Sequence, residues 1–501
     1  MTTIPYESSR MDDLCVRYRT FLALSKAVEF QTYLDRIWDV AKQEERALIQ
    51  ALQDATTGVL DRFVVPAIHE LRNGSDGTLP TPSLMGANSL ARDAGGALLK
   101  FHESYLPMLP PVPVGSGVYC LIESLFLRQE RTGRFMPHVY PRSEYSSVEH
   151  DIRHLLLQDA GGYFGQAARN TPPVEALGLP MLEARNPIMW TLLAHEMGEA
   201  LDRRHDVTGF MRAAIRERGV TDTRVSEALQ NWVDEFAADV IALRLVGGPY
   251  LCAFTDLALL QGNITGEDFY HPSARNRVDQ GLRRLRAHGA ITRDFKHEDC
   301  PKPSSLTPDT LPYLCARLLH RCSHLDPSPE AEGPELEGFP TPTYLDPFMT
   351  EDCDNIDRIA AEEGLLPCPR TADNTIKRLL KTLRKGEPIG TLSLEFVADD
   401  LVARIDTAPD VESFHELLAV LEHHPTDVVD ILLAGWLIRF SDDFGYFNNS
   451  IVDSGEANLP KRFGELRDMV EGRALLLEKS MEDTLYASFW SASREEGSNA
   501  K

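Results

Sequence analysis

Asn186-Pro-Ile-Met-Trp-Thr-Leu-Leu-Ala-His195-Glu196-Met-Gly-Glu199 places imidazole and carboxyl groups on an otherwise apolar run. Further along, 36 residues after Glu199, stands Glu235-Phe-Ala-Ala-Asp239. In both segments polar groups sit four residues apart, so on a helix they share one face. Asn186 suits an N-cap and Pro187 a first helical position, where a missing N–H costs nothing, so a helix is expected from there. A helix this apolar is a buried one. Burying His195, Glu196 and Glu199 on it is costly unless something compensates them, and a divalent cation would.

The second segment repeats the pattern. Val225, Leu229, Trp232, Val233, Phe236, Val240 and Leu243 mark an apolar stripe, and Glu235 and Asp239 lie among Ala237, Ala238, Ile241 and Ala242. Two buried carboxylates four apart repel unless a cation or a donor lies between them. In one reading Glu235 ligates a metal and Asp239 accepts a hydrogen bond from His195, fixing its tautomer. In the other, Arg244 or Arg277 holds the pair. Glu196, beside the ligand face, is the natural general base, passing a proton from an activated water to the leaving amine. In His271-Pro-Ser-Ala-Arg-Asn-Arg277, a histidine and an arginine six residues apart can place donors over a developing oxyanion. The plainer reading of His271-Pro272 is a helix N-terminus. Trp190 and Trp232 read as core.

These three pieces, in this order, resemble the gluzincin branch of zincin metallopeptidases, and within it the prenyl-protein proteases and related membrane stress proteases. There a His-Glu-x-x-His helix is followed by Glu-x-x-Ala-Asp and then His-Pro-x-x-x-x-Arg. The resemblance spans roughly residues 186–285. It implies a mainly α zincin-like metallopeptidase core with a small β element. It also implies Zn2+ on His195, Glu199 and Glu235, with Asp239 behind the histidine, Glu196 as base, and His271 and Arg277 at the oxyanion. Glu199 stands where the family has its second histidine, and the family's membrane spans are missing. One nitrogen and two carboxylates cancel the charge of a divalent ion, and such hard ligands move preference toward Mn2+ or Fe2+. His205 falls ten residues after His195, the spacing of a third histidine in metzincins, but Asp202 occupies the place of the glycine that turns the chain there.

A chain of 501 residues has room for two or three domains. Its formal charge of −25 repels phosphate backbones, so no nucleic-acid partner is expected. The longest apolar run, Ile431 to Ile438, is too short to span a bilayer, and the N-terminus lacks the basic-then-apolar order of a signal peptide. A cytoplasmic protein with no membrane partner is expected. Eight cysteines without Cys-x-x-Cys spacing fit reduced thiols. His297, Cys300, Cys315, His320 and Cys322 are either a second metal site or ordinary surface and core residues.

The expected organisation is a helical N-terminal region (1–73), a metallopeptidase-like domain (96–300), a breaker-rich linker (323–348) and a helical C-terminal domain (349–501) suited to a protein partner. Val118–Leu127 and Phe135–Tyr140 are the candidate strands. The functional expectation is a soluble metal-dependent peptidase acting on protein or peptide substrates, its C-terminal domain restricting access. The alternative is a catalytically inactive metallopeptidase-like scaffold or regulatory binding protein.

Overall fold

The computed structural model describes residues 5–39, 41, 43–73, 81–106, 109, 116–129, 137–148, 176–217, 223–261, 269–288, 346–370, 373–386, 427–439 and 456–498. They are mainly helical. The expected helical N-terminal region comprises α1 (Pro5–Trp38), α2 (Gln43–Val59) and α3 (Val65–Arg72), with a π-helical turn at Leu60–Val64. Next comes α4 (Thr81–Tyr105), which packs along α1 and α3. Ser116–Leu127 is also a helix, α5, where a strand was expected. Its buried residues Val118, Leu121, Ile122 and Leu125 recur at spacings of three and four, and 12 residues is a helical length.

The β element is a three-stranded sheet of order β1-β3-β2. β1 (His138–Arg142) runs parallel to β3 (Ala176–Pro180), with Val139 opposite Leu177. β2 (Ser146–Val148) runs antiparallel to β3, with Ser146 opposite Gly178. β1 thus begins inside the Phe135–Tyr140 stretch.

The His195 helix, α6, spans Leu193–His205 and starts well after Asn186. Between them the chain makes successive turns: Asn186 N–H bonds back to Glu183 O at 2.9 Å, Met189 N–H to Asn186 O at 3.0 Å, and the Trp190 indole donates to Glu183 O at 2.6 Å. Asn186 caps no helix. Its amide instead donates to Glu183 and Glu29, and those two buried carboxylates are what draws it inward. α6 ends at Asp206, which adopts a left-handed conformation (φ 51°). The Asp202 carboxylate secures that end by accepting from both Thr208 N–H and Thr208 Oγ1 at 2.8 Å.

α7 (Gly209–Glu217), α8 (Thr223–Val246), α9 (Gly248–Gln261) and α10 (Ala274–Ala287) follow. α6 and α8 cross very closely at Gly198, where an added Cβ would lie 2.6 Å from Ala238 O. Only glycine permits that approach, and it brings the Glu235 and Asp239 side chains to His195. α11 (Asp346–Glu362), α12 (Asp373–Arg384), α13 (Val428–Ile438) and α14 (Leu459–Ser498) complete the described elements.

Burial is continuous among the described N-terminal, central and C-terminal helices. Phe21 of α1, Leu98 of α4, Trp232 of α8, Leu379 of α12, Trp436 of α13 and Leu477 of α14 belong to one contiguous core. Specific bonds reinforce this: the Trp436 indole donates to Ile188 O at 3.1 Å, and Arg244 of α8 reaches Asp357 of α11 at 2.7 Å. The C-terminal helices therefore complete the interior that the central ones begin. Trp190 and Trp232 are fully buried in it, as expected. Most of the expected linker, and the His297–Cys322 group, lie outside the described residues; α11 begins at Asp346, within the linker's last residues. Among the described residues no helix is long and apolar enough to cross a membrane.

Candidate metal centre

Four of the singled-out side chains meet where α6 and α8 cross. His195 Nε2 lies 3.5 Å from Glu235 Oε2 and 3.8 Å from Glu199 Oε1. One ligand atom from each of His195, Glu199 and Glu235 lies within 4.8 Å of the others, so the group could hold a metal ion. Tetrahedral bonds of about 2.1 Å put ligand atoms about 3.4 Å apart, close to the two separations from Nε2. Asp239 sits behind the histidine, and Nδ1 donates to its Oδ1 at 3.0 Å. With Nδ1 donating to Asp239, a neutral ring would have its Nε2 lone pair available to a cation held between the two glutamates.

Arg277, on the second turn of α10, is drawn into the same cluster. Its Nε and Nη2 donate to Asp239 at 2.8 and 2.7 Å, and Nη1 lies 2.8 Å from Glu235 Oε2. The guanidinium also stacks on Phe254, 4.3 Å from the ring centre. It is buried, with both carboxylates on its fork. Arg277 is therefore a counter-ion to the ligand helix, and the oxyanion-donor role expected for it does not fit this geometry. Arg244, the other arginine considered for that pair, is engaged by Asp357. α10 starts at the Ser273 N-cap, whose hydroxyl accepts from Asn276 N–H at 3.3 Å, so His271-Pro272 does lead into a helix N-terminus. His271 itself remains half-exposed at the cavity, Nε2 lying 3.9 Å from Glu235 Oε1.

One atom decides whether the cluster suits a cation. Nη1 of Arg277 approaches Glu235 Oε2 off the hydrogen-bonding direction, and that buried oxygen has no hydrogen-bond partner among the described residues. A buried acceptor left this way costs roughly 1–3 kcal/mol, which a ligated ion would recover. The donor set, one imidazole and two carboxylates, is chemically apt for a divalent cation.

Burial pushes the Glu235 carboxyl up, but the Arg277 guanidinium and the His195 imidazole outweigh it and bring it down to about 2. Asp239 is held below the ordinary carboxylate range: burial raises it, and Arg277 and His195 more than reverse this. Burial pulls His195 down, yet the hydrogen bond to Asp239 and the nearby Glu235 charge lift it well above the usual imidazole value. Both ligand-helix carboxylates are thus ionised at neutral pH. Glu196, lining the same cavity, behaves differently: burial, then the neighbouring Glu199 charge, pushes its carboxyl up to about 8.

His205 does not join the group. It lies in the last turn of α6 with Nδ1 3.0 Å from Glu363 Oε2. Tyr250, by contrast, was not singled out from the sequence. Its hydroxyl donates to Asp239 Oδ1, and its ring lies parallel to His195 with centroids 6.1 Å apart. Tyr250 and Phe254 are four apart on α9, a spacing that in sequence reads only as an apolar face.

The centre opens into a cavity of about 620 Å³. Leucines from α4, α9 and the turns before α6 form much of its wall, and Ser143–Ser146 at the β1–β2 connection lines it as well. Comparison with protein-family models, characterised proteins and solved structures finds no match to this chain.

Proposed function

We propose that the chain is a zincin-like metal-dependent hydrolase of peptide bonds. The observation that carries this reading is the convergence of His195, Glu199 and Glu235 on one point, with Asp239 behind the imidazole and Glu196 beside it in a roomy cavity. His195, Glu199 and Glu235 would hold a divalent cation, Zn2+ or, given two hard carboxylates, Mn2+ or Fe2+. Such an ion supplies Lewis-acid polarisation of water and of a substrate carbonyl.

The chain's own residues do the rest. Glu196 takes up a proton from water at its carboxylate and returns it to the leaving amine. Asp239 and Tyr250 lock the His195 ring so that Nε2 faces the glutamates. Arg277 keeps Glu235 and Asp239 ionised and fixed on their helix. His271, at the cavity wall, is placed to donate to the oxygen that gains charge.

Glu196→Gln tests the reading. Protein purified without chelators should hold about one divalent ion per chain by elemental analysis. It should cleave a mixed peptide library, and the variant should keep the ion while losing cleavage by about a thousandfold or more. A wild-type chain free of metal that takes up none on titration would overturn it.

A further inference from the structure

Arg277 Nη1 stands 2.8 Å from Glu235 Oε2, an ion-pair distance, yet that oxygen accepts no hydrogen bond among the described residues. A guanidinium carries its five N–H groups in one plane, as a rigid fork. Here the fork is seated on Asp239, with Nε donating to Oδ2 at 2.8 Å and Nη2 to Oδ1 at 2.7 Å. Nη2 also donates to the Tyr250 hydroxyl at 3.4 Å. Two parallel bonds to one carboxylate fix where the plane points and leave it one easy motion, a tilt about the line to Asp239. The Phe254 ring lies against the face of that plane, its centre 4.3 Å from Arg277 Cζ, contact distance for a cation on an aromatic face. Phe254 is braced in turn. It follows Tyr250 by one turn of α9, the two rings stack with centroids 5.9 Å apart, and Tyr250 lies parallel to His195.

We propose that Phe254 is a positioning residue for the metal centre: its ring holds the Arg277 plane on Asp239 and so leaves Glu235 Oε2 open to a cation. The inference rests on the metal-binding part of the reading above and not on the peptidase step. A tilt of the guanidinium would turn an Nη1 hydrogen toward Oε2 and convert an ion pair into a hydrogen bond. An incoming ion would then have to break that bond to reach the oxygen. With the ring in place, Arg277 gives Glu235 a neighbouring positive charge and spares its lone pair. An aliphatic side chain could fill the same space but has no flat, electron-rich face to set the plane.

The test titrates the full-length chain, first stripped with a chelator, with Mn2+ and with Zn2+ in competition with a chelating dye. Phe254→Leu, or Phe254→Met should the leucine variant not fold, should bind each ion about three- to thirtyfold more weakly than the wild type. Phe254→Tyr, which keeps the ring, should stay within about twofold. Arg277→Lys replaces the fork by a point charge with no plane to hold. In that background the loss of the ring should cost less than about twofold, whereas a role in packing alone would keep the full loss. Thermal melts show which variants are folded. If Arg277→Lys is not, a metal-free crystal structure of the ring-less variant decides: a hydrogen bond from Nη1 to Oε2 supports the proposal, and an unmoved guanidinium overturns it. Unchanged affinity without the ring, or an equal loss in both backgrounds, would overturn the positioning role and leave the metal reading standing. A wild type that takes up neither ion would overturn both.

Discussion

Two buried ionic clusters line one cavity, and they are completed differently. Around Lys26, every oxygen of Glu29 and Glu183 meets Lys26 or Asn186, and the carboxylates are bonded out. Around His195, Asp239 is similarly surrounded, but among the described residues Glu235 Oε2 has an ion pair with Arg277 and no hydrogen bond, and Glu199 reaches only His195 at 3.8 Å and Arg203 at 3.6 Å. A charge cluster closed on itself holds elements together and shapes a wall. One with an acceptor left without a hydrogen bond could take a further cation beside its own. Burial alone does not separate the two cases; the satisfaction of each oxygen does.

The largest expected effect comes from removing the central cation of each cluster. Arg277→Met and Lys26→Met should each destabilise the fold by about 3–5 kcal/mol, because each strands two buried carboxylates. The clusters should part company when metal is added. Mn2+ or Zn2+ should raise the melting temperature of Arg277→Met back toward that of the wild type and leave Lys26→Met where it is. Equal rescue of both, or of neither, in differential scanning calorimetry would erase the distinction.

A smaller effect is expected from Asp239→Asn, which keeps the shape and removes the charge behind His195. Metal affinity measured by competition with a chelating dye should fall about ten- to a hundredfold. The equivalent change at the closed cluster, Glu183→Gln, should leave affinity within about twofold of wild type.

The smallest concerns pH. Glu235, with its folded value near 2, and Asp239, held low beside it, are both depressed by folding. Their contribution is complete above about pH 4.5 and is lost as pH falls toward 2. His195 is raised, so its contribution is complete below about pH 6.5 and is lost as pH rises through its folded value. Metal-free protein should therefore be most stable between about pH 4.5 and 6.5. Urea midpoints should show about 1–2 kcal/mol lost between pH 5 and 3, and less of it in Arg277→Met.

Much of this centre was legible from spacing alone. Pairs four apart on two apolar helices already put His195, Glu199, Glu235 and Asp239 on two facing stripes, because a buried helix has few reasons to carry charge. The start of the first helix was not legible. Asn186-Pro187 has the chemistry of an N-cap, but Glu29, 157 residues away, claims the amide. Val118–Leu127 misled because a short apolar run is compatible with either period until its neighbours are known. Lys26 was invisible for a related reason: on a long helix a lone cation reads as solvated, and only tertiary packing seals it. That α13 shares an interior with the central helices was not legible either, because an apolar helix does not announce whose interior it fills.

The contact at Gly198 has a consequence for how such a centre can be tuned. With no side chain there, the spacing of the crossing helices sets how far apart His195 and Glu235 stand. A single methyl at that position would act as a shim, prising the two rods apart and carrying one carboxylate away from the imidazole without touching either. The gap that any ion placed there would have to fit is thus kept by a residue that would never meet it.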